Sequence, residues 1–529
     1  MTGFIRQTLN ELFREIPVQI LEKTMLTDVE ITGIVYDSRA VTPGCLFVAL
    51  EGMQTDGHRF ISAAIERGAV AVVGTKEVGE LPVPYIRVKD GRLALAHLSA
   101  AFYQFPGRNL SMVGVTGTDG KTTTTNLIYS ILVEAGFRTG MISTLSAIVG
   151  DQSFDTGFHV TTPEAPEVQR YLSRMLAAGL SHVVLEVTSH GLAQHRITAC
   201  EFDVGVITNV THEHLDYHQT FEAYREVKAQ LLKDLEKTAQ KSQGNIRLAV
   251  VNKDDPSFDY LCKSTSVDKI SYGIMADQLD IWAENIQFSP EGSHFDVVGK
   301  DFRFHVLSRL MGPFNVMNCL AAAATGIFAY NLPPEVIQKG IQKVKSIPGR
   351  MEQIVMGQEF IAMVDFAHTP NALRVVLEAT RQLTSGRILV VFGSAGLRDR
   401  EKRQMMSEVA VELADLIFLT AEDPRTESLD DILEEMANAA SAKGAEEGTQ
   451  FWRVRDRGEA IREAIRQAKP GDIVIACGKG HEQSMCFGEI EYPWDDRIAM
   501  KAALAEILGK PGPQIPYLPT QESDSDEED

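Results

Sequence analysis

Residues 110–136 read LSMVGVTGTDGKTTTTNLIYSILVEAG, and the reading of this stretch decides the fold. The apolar run MVGV leads into Gly117-Thr118-Asp119-Gly120-Lys121-Thr122-Thr123, after which apolar residues recur at helical spacing. A short strand, a glycine-bounded turn and a helix in that order make a phosphate-binding loop. The glycines let backbone N–H groups converge on phosphate oxygens, and the helix N-terminus adds a favourable dipole. Lys121 would reach the β- and γ-phosphates and Thr122 would ligate Mg2+. The strict spacing GxxxxGK[ST] is not met, because Val115 stands five residues before Gly120. A search for that pattern passes over the loop, although its physical parts are all present.

Outward from the loop, the chain divides. At 529 residues it exceeds what one hydrophobic core organises, and three α/β domains are expected. In residues 1–104, GIVYDSR, the turn TPG, LFVAL, helix-like FISAAIERGA and apolar VAVV describe a small α/β domain. A break at Phe105-Pro106-Gly107 opens a central domain, 105–346. There SHVVLEVTSH, FDVGVITNV and IRLAVVN alternate with helical stretches, which predicts a mainly parallel sheet with helices on both faces. After Ser346-Ile347-Pro348-Gly349 the alternation starts afresh with FIAMVDFAH, GRILVVFGS, LIFLTAED and GDIVIACGKG. These predict a Rossmann-like α/β domain, 347–511, with its site at the carboxyl ends of the strands. Residues 512–529, ending in QESDSDEED, are expected to be a disordered acidic tail.

Composition narrows the function classes. A net charge of −21 opposes attraction to a nucleic-acid backbone. No apolar run reaches the roughly 18 residues a membrane helix needs, and residues 1–16 lack a secretory apolar core, so a cytoplasmic protein is expected. Six cysteines without a CxxC pair argue against a zinc knuckle or a disulfide framework.

Glu186 ends the strand-like VVLEV, where a carboxylate facing a phosphate loop serves as a ligand for a hard cation, the alternative being a solvated or capping glutamate. Three histidines within seven residues, His212, His214 and His218, raise the question of zinc. HxH without a cysteine or an HExxH pattern is weak support for zinc, and the phosphate loop favours magnesium. Asn315 and Asn318, one turn apart on an Ala-rich helix, share a face.

The compact loop GTDGKT resembles the ATP loop of the Mur ligases and of folylpolyglutamate synthetase. EVTSHGLAQHR (186–196) and TNVTHEHLDYH (208–218) are similar to the central domain of the Mur ligase branch that adds a diamino acid, and the resemblance spans roughly residues 30 to 505. It implies ATP, two Mg2+ ions held by Thr122, Glu186, His214 and Lys228, and a Lys228 that is carbamylated to N6-carboxylysine. Without the resemblance Lys228 reads as a solvated helix residue. An asparagine of the Asn315/Asn318 pair would read adenine, and Arg350 and Asp365, in PGRME and DFAHTP, would complete the nucleotide contacts. Phe366 stands where the family usually has tyrosine.

The same resemblance assigns Ser38, Gln54 and Thr55 to the uridine nucleotide of a UDP-MurNAc-dipeptide acceptor. Thr161, Thr162, Thr188, Gln194 and Arg196 fall to its muramoyl-dipeptide part. The free diamino acid would be held by Arg398, by Glu422-Asp423-Pro424-Arg425, and by Gly478 and Glu482. Arg425 favours meso-diaminopimelate, whose distal carboxylate an arginine grips bidentately. Asp423 replaces the usual Asn and Glu422 the usual Asp, and that extra carboxylate keeps lysine or ornithine open. Leu397 replaces another aspartate. The departures at Phe366, Leu397 and Asp423 motivate one alternative, a catalytically retired binding or assembly protein; a different amide ligase, such as MurF or a cyanophycin-type enzyme, is another. A monomer is expected.

Overall fold

The computed structural model describes residues 6–23, 28–52, 55–154, 161–211, 215–289, 291–521. The chain is α/β throughout and splits into two compact units, 1–282 with 298–302 and 317–340, and 283–297 with 303–316 and 341–529.

The first unit carries two main sheets beside a two-stranded pair, Gln7–Thr8 with Glu30–Ile31. In the smaller, Gly33–Val35, Cys45–Val48, Ala71–Gly74 and Tyr85–Val88 run parallel, and Ile20–Lys23 pairs antiparallel at the edge. Strand alternation sorts the side chains: Leu46 and Val48 enter one core, while Cys45 and Phe47 enter another. The helix Gly91–Phe102 lays Ala94, Leu95 and Leu98 on the first core, and its start is fixed by Asp90, whose side chain accepts from Leu93 N–H at 2.9 Å.

The larger sheet orders its parallel strands as Thr139–Ile142, His182–Glu186, Ser111–Thr116, Val204–Ile207, Leu248–Asn252 and Asp268–Gly273. Ser111–Thr116, central in the order, is buried at every position, as a parallel strand covered on both faces must be. From it the chain lays down four strands on one side, Thr139–Ile142, the antiparallel Ala147–Val149 and Gln152–Phe154, and His182–Glu186, and then crosses to the other, so the switch in strand order lies at its carboxyl end. Register places Glu186 opposite Val115 on one flank and Ile207 opposite Thr116 on the other. Ile281–Ser289, Gly292–Gly299 and Phe302–Ser308, whose residues 283–297 and 303–308 fall in the second unit, were not foreseen, and neither were Thr139–Ile142 and Asp268–Gly273; in the first three, charged residues interrupt the alternation.

The second unit has a six-stranded sheet in the order Glu352–Gln353, Ile361–Asp365, Ile473–Cys477, Ile388–Phe392, Leu416–Leu419 and Phe451–Arg453, parallel except for the first. Val364, Val390, Phe418 and Ile475 pack its core. All the strands expected here from the sequence are present.

The stretch 512–521 differs from the expected disordered tail. Leu518 is fully buried, Ile515 packs on the core, and Thr520 Oγ1 donates to Asp456 at 2.8 Å. The apolar residues of PQIPYLP account for this, because the acidic composition begins only beyond Gln521. Residues 522–529 lie outside the described residues.

A buried ion pair ties this unit together: Arg457 donates through Nε and Nη2 to the two oxygens of Asp496, each at 2.7 Å, with both side chains fully buried. Arg457 also donates to Cys477 O at 2.7 Å and Ala421 O at 3.2 Å, so four of its five N–H groups are occupied. Removing one partner leaves an uncompensated charge in the core, so Asp496→Ala is expected to destabilise the protein by about 3–5 kcal/mol, read as a lowered urea midpoint.

Candidate active site

The phosphate loop sits at the carboxyl end of Ser111–Thr116, and two backbone positions explain its glycines. Gly117 has φ +156°, and a Cβ there would lie 1.8 Å from Thr208 Oγ1. Gly120 is left-handed at φ +79°, and a Cβ would lie 2.2 Å from Asn318 Oδ1. The helix Lys121–Glu134 starts on Gly120 without a side-chain cap, which leaves its first N–H groups to face an anion.

Neighbouring strand ends hold the loop from both sides. Thr122 Oγ1 donates to Glu186 Oε1 at 2.9 Å, and Thr144 N–H donates to Glu186 Oε2 at 3.0 Å. On the other flank Thr208 Oγ1 and Asn209 Nδ2 donate to Asp119 O at 2.6 and 3.1 Å, and Thr118 N–H donates to Asn209 O at 2.8 Å. Two lysines fasten the loop's own carbonyls: Lys121 Nζ on Thr118 O at 2.7 Å and the buried Lys228 Nζ on Gly117 O at 2.6 Å. Lys228 also lies 4.6 Å from the Tyr224 ring, whose hydroxyl is 3.1 Å from Thr118 Oγ1. Thr124 Oγ1 donates to Asn318 Oδ1 at 3.2 Å, so Asn318 stands against the loop. Asn315 instead donates to Met311 O at 2.7 Å.

A second network continues from Glu186. Thr162 Oγ1 donates to Glu186 O at 3.1 Å and accepts from Thr188 N–H at 3.1 Å. Arg196 donates to Thr162 O at 2.9 Å and to Gln194 Oε1 at 2.8 Å, and pairs with Glu164 at 2.9 Å. Thr162, Thr188, Gln194 and Arg196 are thus brought together, with half-buried Thr161 alongside in the chain. Arg92 reaches Gln194 Oε1 at 3.5 Å. In the smaller sheet's loops, buried Ser38 accepts Arg67 on its carbonyl at 3.2 Å, and Thr55 is exposed. Gln54 and His214 lie outside the described residues.

Thr122 and Glu186 offer hard oxygens at the loop, which suits Mg2+. That ion is commonly held by one or two carboxylates together with substrate phosphates. Lys228 as an ammonium is a donor and cannot ligate a cation; only its carbamate would supply oxygens.

In the second unit Asp365 accepts Met351 N–H and Ala367 N–H, both at 2.7 Å, and Arg350 lies 4.5 Å from the Phe366 ring. His368 and His481 flank the same ring at 4.5 and 4.8 Å. Burial pulls both down to about 3, so they are neutral at pH 7. The loops 393–398 and 422–425 meet: Gly396 N–H donates to Asp423 O at 3.0 Å, and a Cβ on Gly396 would lie 2.0 Å from Pro424 O. Glu422 is buried, with Oε2 unbonded among the described residues, and a Cβ on Gly478 would lie 2.0 Å from that oxygen. Burial raises the Glu422 carboxyl to about 7 against the opposing pull of Lys402, Arg457 and Lys479. Arg425 is half-buried and Arg398 exposed.

Sequence reasoning gave no role to Thr144, Glu164, Thr208, Asn209 or Lys479. Thr208 and Asn209 carried a usable signal, since they follow a strand as Glu186 ends one; Thr144 acts through its backbone and leaves no signal.

Strand-end loop, phosphate cradle and two further α/β sheets define a nucleotide-dependent α/β enzyme. The chain matches three family descriptions in order: "Mur ligase family, catalytic domain" over 30–103, "Mur ligase middle domain" over 115–326, and "Mur ligase, glutamate ligase domain" over 349–480. It is 44% identical over 486 residues to the UDP-N-acetylmuramyl-tripeptide synthetase of Roseiflexus sp. (strain RS-1), covering 90% of this chain and 95% of that protein. It is 39% identical over 480 residues to the UDP-N-acetylmuramoyl-L-alanyl-D-glutamate--2,6-diaminopimelate ligase of Bacillus licheniformis, covering 91% and 96%. A solved structure titled as a ligase of the latter name aligns with a TM-score of 0.66 at 29% identity, covering 95% of this chain and 99% of that one. The chain therefore belongs to the Mur ligase family, whose members are ATP-dependent amide-bond-forming ligases.

Gly117→Ala puts a methyl where Thr208 Oγ1 already stands, so nucleotide affinity is expected to fall by about tenfold or more in a fluorescent-nucleotide titration. Glu422, raised in the folded chain, binds more protons there than unfolded, so stability falls as pH rises from about 4.5 through about 7. Glu422→Gln is expected to flatten that decline in urea midpoints taken at pH 5 and pH 8.

Proposed function

We propose that this chain adds a diamino acid, meso-diaminopimelate, to UDP-N-acetylmuramoyl-L-alanyl-D-glutamate in peptidoglycan synthesis, working as a cytoplasmic monomer. The observation that carries the reading is the bond from Thr122, in the first turn of the helix after the loop, to Glu186 at the end of the neighbouring strand, which sets cation-binding oxygens beside the phosphate loop. The name of the Bacillus licheniformis relative supports the acceptor and the diaminopimelate; among the described residues no helix is long and apolar enough to cross a membrane.

The acceptor's glutamyl carboxylate attacks the γ-phosphorus of ATP, the bond to ADP breaks, and an acyl-phosphate results. The diamino acid's amine then attacks the acyl carbon, phosphate leaves from the tetrahedral intermediate, and the amine's proton is released. Such chemistry rests on positioning and charge neutralisation. Lys121, freed from Thr118 O, would follow the γ-phosphate, and the loop N–H groups would hold the β-phosphate. Thr122, Glu186, His214 and a carbamylated Lys228 would hold two Mg2+ ions, which supply positive charge opposite the transferring phosphoryl group. Asn315 or Asn318 would read adenine, with Arg350 and Asp365 completing the nucleotide contacts. Ser38, Gln54 and Thr55 would take the uridine nucleotide, and the linked set of Thr161, Thr162, Thr188, Gln194 and Arg196 the muramoyl-dipeptide. Arg398, the 422–425 loop, Gly478 and Glu482 would hold the diamino acid.

With ATP, Mg2+ and the UDP-linked dipeptide, the mass of the product formed from diaminopimelate, lysine or ornithine, each offered alone, tests the reading. Diaminopimelate is expected to give the product. Product from none of the three, or from a tripeptide acceptor only, would remove it. Lys121→Ala is expected to lower turnover by about a thousandfold, since it removes the loop's charge on the transferring phosphoryl group.

A further inference from the structure

Asp423 and Glu422 are the two carboxylates by which the 422–425 loop departs from its family's usual motif, and the fold treats them differently. Glu422 keeps an unbonded oxygen beside Gly478. Asp423 is fully engaged: the Lys479 ammonium donates to both of its oxygens at 3.0 Å, and Cys486 N–H donates to Oδ1 at 2.9 Å. Lys479 is wholly buried and reaches Glu482 as well, at 2.5 Å. One buried cation therefore sits between two carboxylates that come from two different loops.

The backbone holds this arrangement. Asp423 and Arg425 both have left-handed backbones, at φ 42° and 55°. Arg425 N–H donates to Cys486 O at 3.1 Å, and Gly488 N–H to Arg425 O at 2.8 Å, so the hairpin Ser484–Phe487 and Ile490–Pro493 clamps the loop. The Asp423 side chain is committed to Lys479 as a result. Among the described residues the Arg425 guanidinium takes no hydrogen bond or ion pair. A buried ammonium with two anionic neighbours stays charged: burial works against the charge, and Glu482 with Asp423 outweighs it.

We propose that Lys479 is a positioning residue that sets amino-acid selectivity: by taking up the Asp423 charge and anchoring Glu482, it leaves Arg425 to read the far end of the diamino acid and favours a carboxylate-bearing tip over a bare ammonium. The proposal rests on the reading of this site as the diamino-acid site. It also reverses the sequence-based argument for lysine or ornithine, because the carboxylate that argument relied on is neutralised within the protein.

The test compares kcat/KM for meso-diaminopimelate and for lysine across the parent, Lys479→Met, Asp423→Asn and the double variant. Lys479→Met exposes an unneutralised Asp423 and is expected to shift the ratio toward lysine by about tenfold or more. The added Asp423→Asn is expected to bring the ratio back to within about threefold of that of Asp423→Asn alone. A ratio unmoved by Lys479→Met, or moved about tenfold by Asp423→Asn alone, overturns the proposal. Should Lys479→Met not fold, Lys479→Arg is expected to keep the parental ratio, and Asp423→Asn alone still decides. If the parent couples neither amino acid, the functional reading fails. The charge claim is then read from urea midpoints of the two single variants and the double, where strict additivity overturns it.

Discussion

Everything chemical in this protein depends on a loop held from both flanks. A glycine-rich turn free to move would spend the binding energy of a phosphate on its own ordering. Here the ordering is already done. The strand that ends at Glu186 supports Thr122, the strand that ends at Ile207 delivers Thr208 and Asn209 to Asp119, and the turn lies between them. The parallel sheet makes this possible, because its register brings the ends of three strands level at one edge.

That edge also explains why the acceptor-side residues form one network. Thr162 touches the backbone of the residue whose side chain supports the loop, and Thr188, Gln194 and Arg196 are linked to Thr162 in turn. A shift at Glu186 is thus felt at both networks. Arg196 is held in place by Glu164 and Gln194, so its planar guanidinium is oriented before anything binds.

The α/β class, the parallel central sheet and the third α/β sheet were legible because buried parallel strands write themselves as short apolar runs ending in glycine or polar residues. The loop was legible for the same reason, through MVGV followed by GTDGKTT. The strands between Ile281 and Ser308 were not, because charged residues interrupt their apolar pattern. Lys228 could not be told from a solvated lysine by its own segment, since the burial comes from the turn of Phe221–Lys237 toward Gly117. The partner of Asp423 lies 56 positions along the chain, a separation that no local pattern spans.

The packed stretch at 512–521 has a practical meaning for dissecting this chain. The last long helix ends at Leu508, which is where a boundary drawn by helix content would fall. A fragment trimmed there would lose Leu518 and Ile515 and open an oily seam over Asp456 and the neighbouring core, inviting self-association. Expression boundaries for the carboxyl-terminal unit therefore belong beyond Gln521, on the far side of this strap.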